Sequence, residues 1–133
     1  MEIRLSVLAD YAATTDEGKL VIAGIFDTLS AVRVPAAHPR VALAFRLHVL
    51  PEEGSDHQVK VQYVDPDGNR ILELGGPIPV QGMHPERGAD AQFVINFEPL
   101  PVSSFGRHAF DIFVDDRYED TVALDVIQIQ TQG

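Results

Sequence analysis

The chain has 133 residues, the usual length of one domain and enough to bury a core without metals or crosslinks. Its hydrophobic content of 45% sets it apart from disordered and membrane-spanning chains, and the lack of cysteine excludes a disulfide scaffold, a cysteine nucleophile and a zinc–thiolate site. With 20 acidic against 10 basic residues the formal charge is −10, and the basic residues stand singly, which argues against nucleic acid and anionic membranes as partners.

Period-two alternation dominates the chain. Ile3, Leu5 and Val7 alternate with Glu2, Arg4 and Ser6. Turn formers follow over 14–18, then Lys19 to Ile25 is almost wholly apolar, as a strand buried on both faces would be. Asp27 to Ser30 interrupts that run and 31–34 resumes it, which reads as one bent strand before the loop of Pro35, His38 and Pro39. Val41, Leu43, Phe45, Leu47 and Val49 mark the next strand, with Ala42, Ala44, Arg46 and His48 on its other face.

After a polar loop over 51–56, Val59, Val61 and Tyr63 alternate up to Asp65-Pro66-Asp67-Gly68-Asn69, a strong hairpin signal. Arg70 to Leu74 continues the hairpin. Gly75 to Asp90 is the least regular stretch, with four glycines and three prolines, and it reads as a long loop hiding a short strand at 78–80. Three alternating segments complete the pattern: 91–97, 107–114 and 121–129, the last two joined by an acidic turn.

These elements predict an all-β fold. The expected architecture is an antiparallel two-sheet β-sandwich of about eight strands, forming a single domain over 1–133. The expected core is Leu5, Val7, Val21, Ile25, Leu43, Phe45, Leu47, Val59, Val61, Phe93, Ile95, Phe110, Ile112, Leu124 and Val126. No basic stretch with a long apolar run opens the chain, so no secretory leader is expected and a cytoplasmic location fits.

Serial antiparallel strands put alternate loops at one end. That end gathers Asp16, Glu17, Glu52, Glu53, Asp56, Asp115, Asp116, Glu119 and Asp120, with the 75–90 loop beside them. Calcium needs several oxygens converging on one point, which makes Asp115, Asp116 and Asp120 the metal candidates. Asp65-x-Asp67-x-Asn69 has its glycine in the wrong place for an EF-hand and reads as a turn. The five histidines show no ligand spacing along any strand, no serine sits in a nucleophile elbow, and no glycine loop carries the lysine of a phosphate cradle. No catalytic residue and no cofactor is assigned. Phe113 falls on the face opposite Phe110 and Ile112, and with Tyr118 it is the candidate interface.

Two stretches carry a resemblance. Leu8-Ala9-Asp10-Tyr11-Ala12 with Gly18-Lys19-Leu20-x-Ile22-x-Gly24-Ile25-Phe26-Asp27 resembles the opening of a family of small uncharacterised bacterial proteins. Gly106–Val114, Asp115-Asp116 and Val122–Val126 resemble the last hairpin of Ig-like and C2-like sandwiches. The resemblance implies the sandwich fold and transfers no site residues. The expected function is therefore a non-catalytic protein-interaction or assembly module, with a homodimer plausible. The alternative is a small-ligand or carbohydrate-binding domain, or a minor enzyme, using the 75–90 loop as a lid. A calcium-dependent C2-like module ranks behind both.

Overall fold

A computed structural model describes residues 1–130. It is all-β, with eleven strands and one short 3-10 turn at Pro51–Glu53. The strands are β1 Glu2–Thr14, β2 Leu20–Phe26, β3 Thr28–Ala31, β4 Ala36–His38, β5 Val41–Val49, β6 Asp56–Val64, β7 Arg70–Pro79, β8 Ala89–Phe97, β9 Leu100–Val102, β10 Gly106–Val114 and β11 Arg117–Gln128. They form sheets of four (β2-β1-β5-β8), five (β3-β11-β10-β6-β7) and two (β4-β9) strands, so eight strands in two sheets is corrected to eleven in three. Every pairing is antiparallel except β3 with β11, which is parallel.

The extra strands come from two places that composition hides. The apolar run from Leu20 does not bend within one sheet. It leaves the four-stranded sheet at Asp27 and joins the five-stranded one as β3. Gly75, Gly76, Pro77 and Pro79 do not start a loop but finish β7, which lies at a sheet edge, where a missing N–H breaks no ladder. The loop proper shrinks to 80–88.

One core lies between the two larger sheets. Leu43, Phe45 and Leu47 of β5 meet Val59, Val61 and Tyr63 of β6, Phe110 and Ile112 of β10, and Leu124 and Val126 of β11, all buried. Phe97 tilts against Phe110 with ring centroids 5.3 Å apart, and Tyr63 stacks on Phe110 at 4.7 Å. The Tyr63 hydroxyl escapes burial without a partner by donating to the Pro101 carbonyl at 2.9 Å. His108 is also buried, stacked on Tyr63 at 5.6 Å.

Three expected core residues lie outside. Leu5, Val21 and Ile25 are exposed, and Val7, Phe93 and Ile95 are half-buried. The cause is topological. β1 is 13 residues long, and its register with β5 slips between Ile3 and Leu5. Its second half then pairs with β2 and carries it over the outer face of its own sheet, where Ala12, Leu20 and Ile22 pack on Ala42, Ala44 and Val94. That is why β5 is buried on both faces from Val41 to Phe45, and why β2 has one face covered and the other bare.

Candidate functional site

The bare face belongs to the β1–β2 hairpin. Cross-strand neighbours share a face, and there Tyr11 pairs with Ala23 and Ala13 with Val21, while Ile25 pairs with the buried Ala9. Tyr11, Val21 and Ile25 are 45%, 46% and 65% exposed, with the Arg40 guanidinium 5.4 Å from the Tyr11 ring centre and Ile25 at a small cleft beside Val7 and Val122. β2 is also the outermost strand of its sheet, and its sequence Leu20-Val21-Ile22-Ala23-Gly24-Ile25-Phe26 contains no charge and no proline. Gly24 adopts φ +75, which ordinary side chains avoid, and the Asp10 carboxylate occupies the space a Cβ would need. β2 nevertheless keeps one register with β1 from Leu20 to Phe26.

The tip of that hairpin reaches a polar region on the outer face of β5 and β8. Asp90 sits at its centre. The Arg46 guanidinium donates to Asp90 Oδ2 at 2.6 Å, and His48 Nδ1 lies 2.7 Å from Oδ1. Burial raises the Asp90 carboxyl, but the His48 and Arg46 hydrogen bonds and charge outweigh it and hold the group below its ordinary value. Two clefts meet at Gln81 and Asp90. One, of about 390 Å³, lies under the tip residues Thr14 to Gly18. The other, of about 780 Å³, lies under the 80–88 turn and is lined by Arg4, His48, His84, Glu86 and Arg87.

Of the acids expected at one end, Glu53 and Asp115 are held by partners within the chain. His57 Nδ1 is 2.6 Å from Asp115 Oδ2 and its Nε2 is 2.8 Å from the Gly54 carbonyl. Both neighbours only accept, so both ring nitrogens donate and the imidazole is held charged. Burial lowers the His57 value, yet the Asp115 and Gly54 bonds reverse this and raise it. Asp115 is pushed up by burial and then held below its ordinary value by the Gln58 N–H and by His57. Glu53 is lowered, first by its bond to the N-terminal ammonium.

The metal candidates do not converge. Asp115 belongs to His57, Asp116 lies 3.5 Å from Lys60 Nζ, and Asp120 accepts the Ser6 hydroxyl at 2.6 Å and the Thr121 N–H at 2.8 Å. Among the described residues, no group of three or more histidine and acidic side chains is placed to hold a metal ion. Asp115 and Asp116 are the two positive-φ residues of the β10–β11 turn, at 51° and 65°. The Asp65–Asn69 turn lies at the opposite end of β6, where Pro66 touches Gly106.

The interface candidates face each other across that β10–β11 turn. Phe113 and Tyr118 meet edge to face at 6.0 Å, and the Lys60 ammonium lies 5.0 Å from the Phe113 ring centre. Phe113 is half-buried, and Tyr118 is 59% exposed with its hydroxyl bonded to Thr121. The sequence reading missed the hairpin patch because it assigned Val21 and Ile25 to the core. It missed His48 and Asp90 because they lie 42 residues apart and meet only through β5–β8 pairing.

The described residues form an all-β platform with an outermost strand, β2, and a polar cleft beside its hairpin tip. Family DUF6941, a family of unknown function, matches residues 4–127, and the chain belongs to it. A search of curated proteins found no match. Among solved structures, the Pseudomonas fluorescens alkylpurine DNA glycosylase AlkC bound to DNA containing an abasic site analog is similar over 75% of this chain, with 12% identity and a TM-score of 0.47. The chain covers only 27% of that protein. No helix among the described residues is long and apolar enough to cross a membrane.

Proposed function

We propose that the chain is a non-catalytic assembly module that pairs with a second copy of itself through the open edge of β2. One observation carries this reading: an outermost strand with no charge and no proline, beside exposed Tyr11, Val21 and Ile25. A free edge presents unpaired N–H and C=O groups, and proteins that avoid association guard such edges with lysine, proline or bulges. A second copy is the fitting occupant. A two-fold axis beside β2 sets the strand antiparallel to itself. Two chains of charge −10 repel over most of their surface and least where the strand is uncharged. Leu20 to Ala23, the stretch before the positive φ of Gly24, is the pairing segment.

In this reading the two facing sheets act as an Ig-like sandwich that holds the hairpin rigid. The histidines support a non-catalytic role in part: His57 commits both ring nitrogens to Asp115 and Gly54, leaving none to move a proton. Light scattering on a concentration series tests the proposal. The expected mass is twice the 14.6 kDa of the chain, reverting to one chain in Ile25→Lys. A wild-type mass of one chain at every concentration overturns it. The cleft of about 780 Å³ favours a second role, small-ligand binding, which can accompany assembly.

A further inference from the structure

We propose that the cleft between the 80–88 turn and the outer face of β1 and β5 binds a small oxyanion, a carboxylate- or phosphate-bearing molecule, through Arg4, His84 and Arg87. The assembly reading does not require this site, and the site does not require assembly.

The charge of the cleft departs from that of the chain. Acidic residues outnumber basic ones 20 to 10 overall. The cleft is lined by two guanidiniums and two imidazoles against two carboxylates, Glu86 and Asp90. Asp90 is already paired with the Arg46 guanidinium at 2.6 Å and hydrogen-bonded to His48 at 2.7 Å. Glu2 stands outside the lining, 3.7 Å from Arg4. Glu86 is therefore the one acidic lining group without a cationic partner within 4.0 Å among the described residues.

The donors are available. Arg4 has only loose contacts, 3.7 Å to Glu2 and 4.0 Å to Asp90, and Arg87 forms no ion pair among the described residues. His84 is fixed by its own turn. Its Nδ1 accepts the N–H groups of Glu86 and Arg87, each at 3.1 Å, so the ring proton sits on Nε2 as a donor. His48 donates through Nδ1 to Asp90, which fixes that carboxylate at the floor of the cleft and leaves the anion contacts to Arg4, His84 and Arg87.

The turn is also rigid, which a small-ligand site needs. His84 and Gly88 exchange backbone hydrogen bonds at 2.9 and 3.0 Å. Gly88 adopts φ +76 and lies so close to β5 that a Cβ there would stand 2.0 Å from the Val49 carbonyl oxygen. The roof is thus seated directly on the strand that carries His48. A volume of about 780 Å³ exceeds what a bare anion fills, so the rest of the molecule has room beside Gln81.

The test is a titration of ¹⁵N-labelled protein with inorganic phosphate and, separately, with malonate, at ionic strength held constant with chloride. Saturable shifts confined to 81–90 and to Arg4 are expected, and the tighter of the two probes identifies phosphate or carboxylate as the preferred group. Arg87→Gln and Arg4→Gln are surface changes and should each weaken binding by about tenfold or more while leaving the remaining spectrum in place. Arg107→Gln, remote from the cleft and paired with Asp125, should leave binding unchanged. Absence of saturation with both anions overturns the proposal, as does wild-type affinity in both Arg4→Gln and Arg87→Gln. A chain mass that stays unchanged through the titration separates this result from the assembly proposal.

Discussion

Two edge strands of this molecule are built on opposite plans. β7 closes the five-stranded sheet with Arg70 and Glu73 on its length and Pro77 and Pro79 at its end, so its free side offers charge and gaps in the ladder. β2 closes the four-stranded sheet with seven residues that carry neither. β7 buries Ile78 in the main core, whereas Leu20 and Ile22 of β2 pack on the smaller cluster of Ala12, Ala42 and Ala44. A guarded edge refuses a partner strand, and an open one invites it. The contrast is what the proposed assembly through β2 rests on.

The largest expected effect lies on the guarded edge. A Cβ at Gly75 would stand 2.2 Å from the Val59 carbonyl oxygen, which is backbone and cannot swing aside. Gly75→Ala should cost about 3 kcal/mol in chemical denaturation, by pushing β7 off β6. His57→Gln comes next. It leaves Asp115 without its charged partner and should cost about 2 kcal/mol, read the same way near pH 5.5.

The same pair sets a pH window. The raised His57 value stabilises fully below the ordinary histidine value of about 6.5 and fades as pH climbs through the folded value. The lowered Asp115 value stabilises above the ordinary aspartate value of about 3.9 and fades as pH falls through the folded value. The thermal midpoint should thus peak between about pH 4 and 6.5 and fall above neutrality, and His57→Gln should flatten the alkaline side of that profile.

On the open edge the effects on the single chain are smaller. Gly24→Ala forces alanine to φ +75 against a movable Asp10 carboxylate, and should cost about 1 kcal/mol. Ile25→Lys changes a residue that is 65% exposed, so the unfolding free energy of the monomer should move by less than about 0.5 kcal/mol. A loss of several kcal/mol in Ile25→Lys would mean that the patch is packed within the chain and the two edges are alike.

The strands themselves were legible. Leu43, Phe45 and Leu47, Val59 and Val61, and Phe110 and Ile112 alternate as buried residues must, and they are the core. The placement of β2 was not legible. A continuous apolar run reads the same whether it is covered on two faces or on one, and only the curl of β1 decides. β7 was half hidden because glycine and proline signal a loop, although a sheet edge tolerates both. Of the candidate site, the 75–90 stretch was marked as irregular and contains the 80–88 turn. His48 with Asp90 and His57 with Asp115 were invisible, since each pair is joined by strand pairing across tens of residues.

The central claim is that β2 is an open edge that a second copy completes. Its most direct measurement is backbone amide hydrogen exchange of wild type and Ile25→Lys at matched concentration, with the mass of each followed by light scattering. The account predicts a wild-type dimer in which the outward N–H groups of Leu20 to Ala23 are protected, and a monomeric variant in which that protection is lost while the β5 and β10 amides stay slow. A wild-type monomer with freely exchanging β2 amides would contradict it.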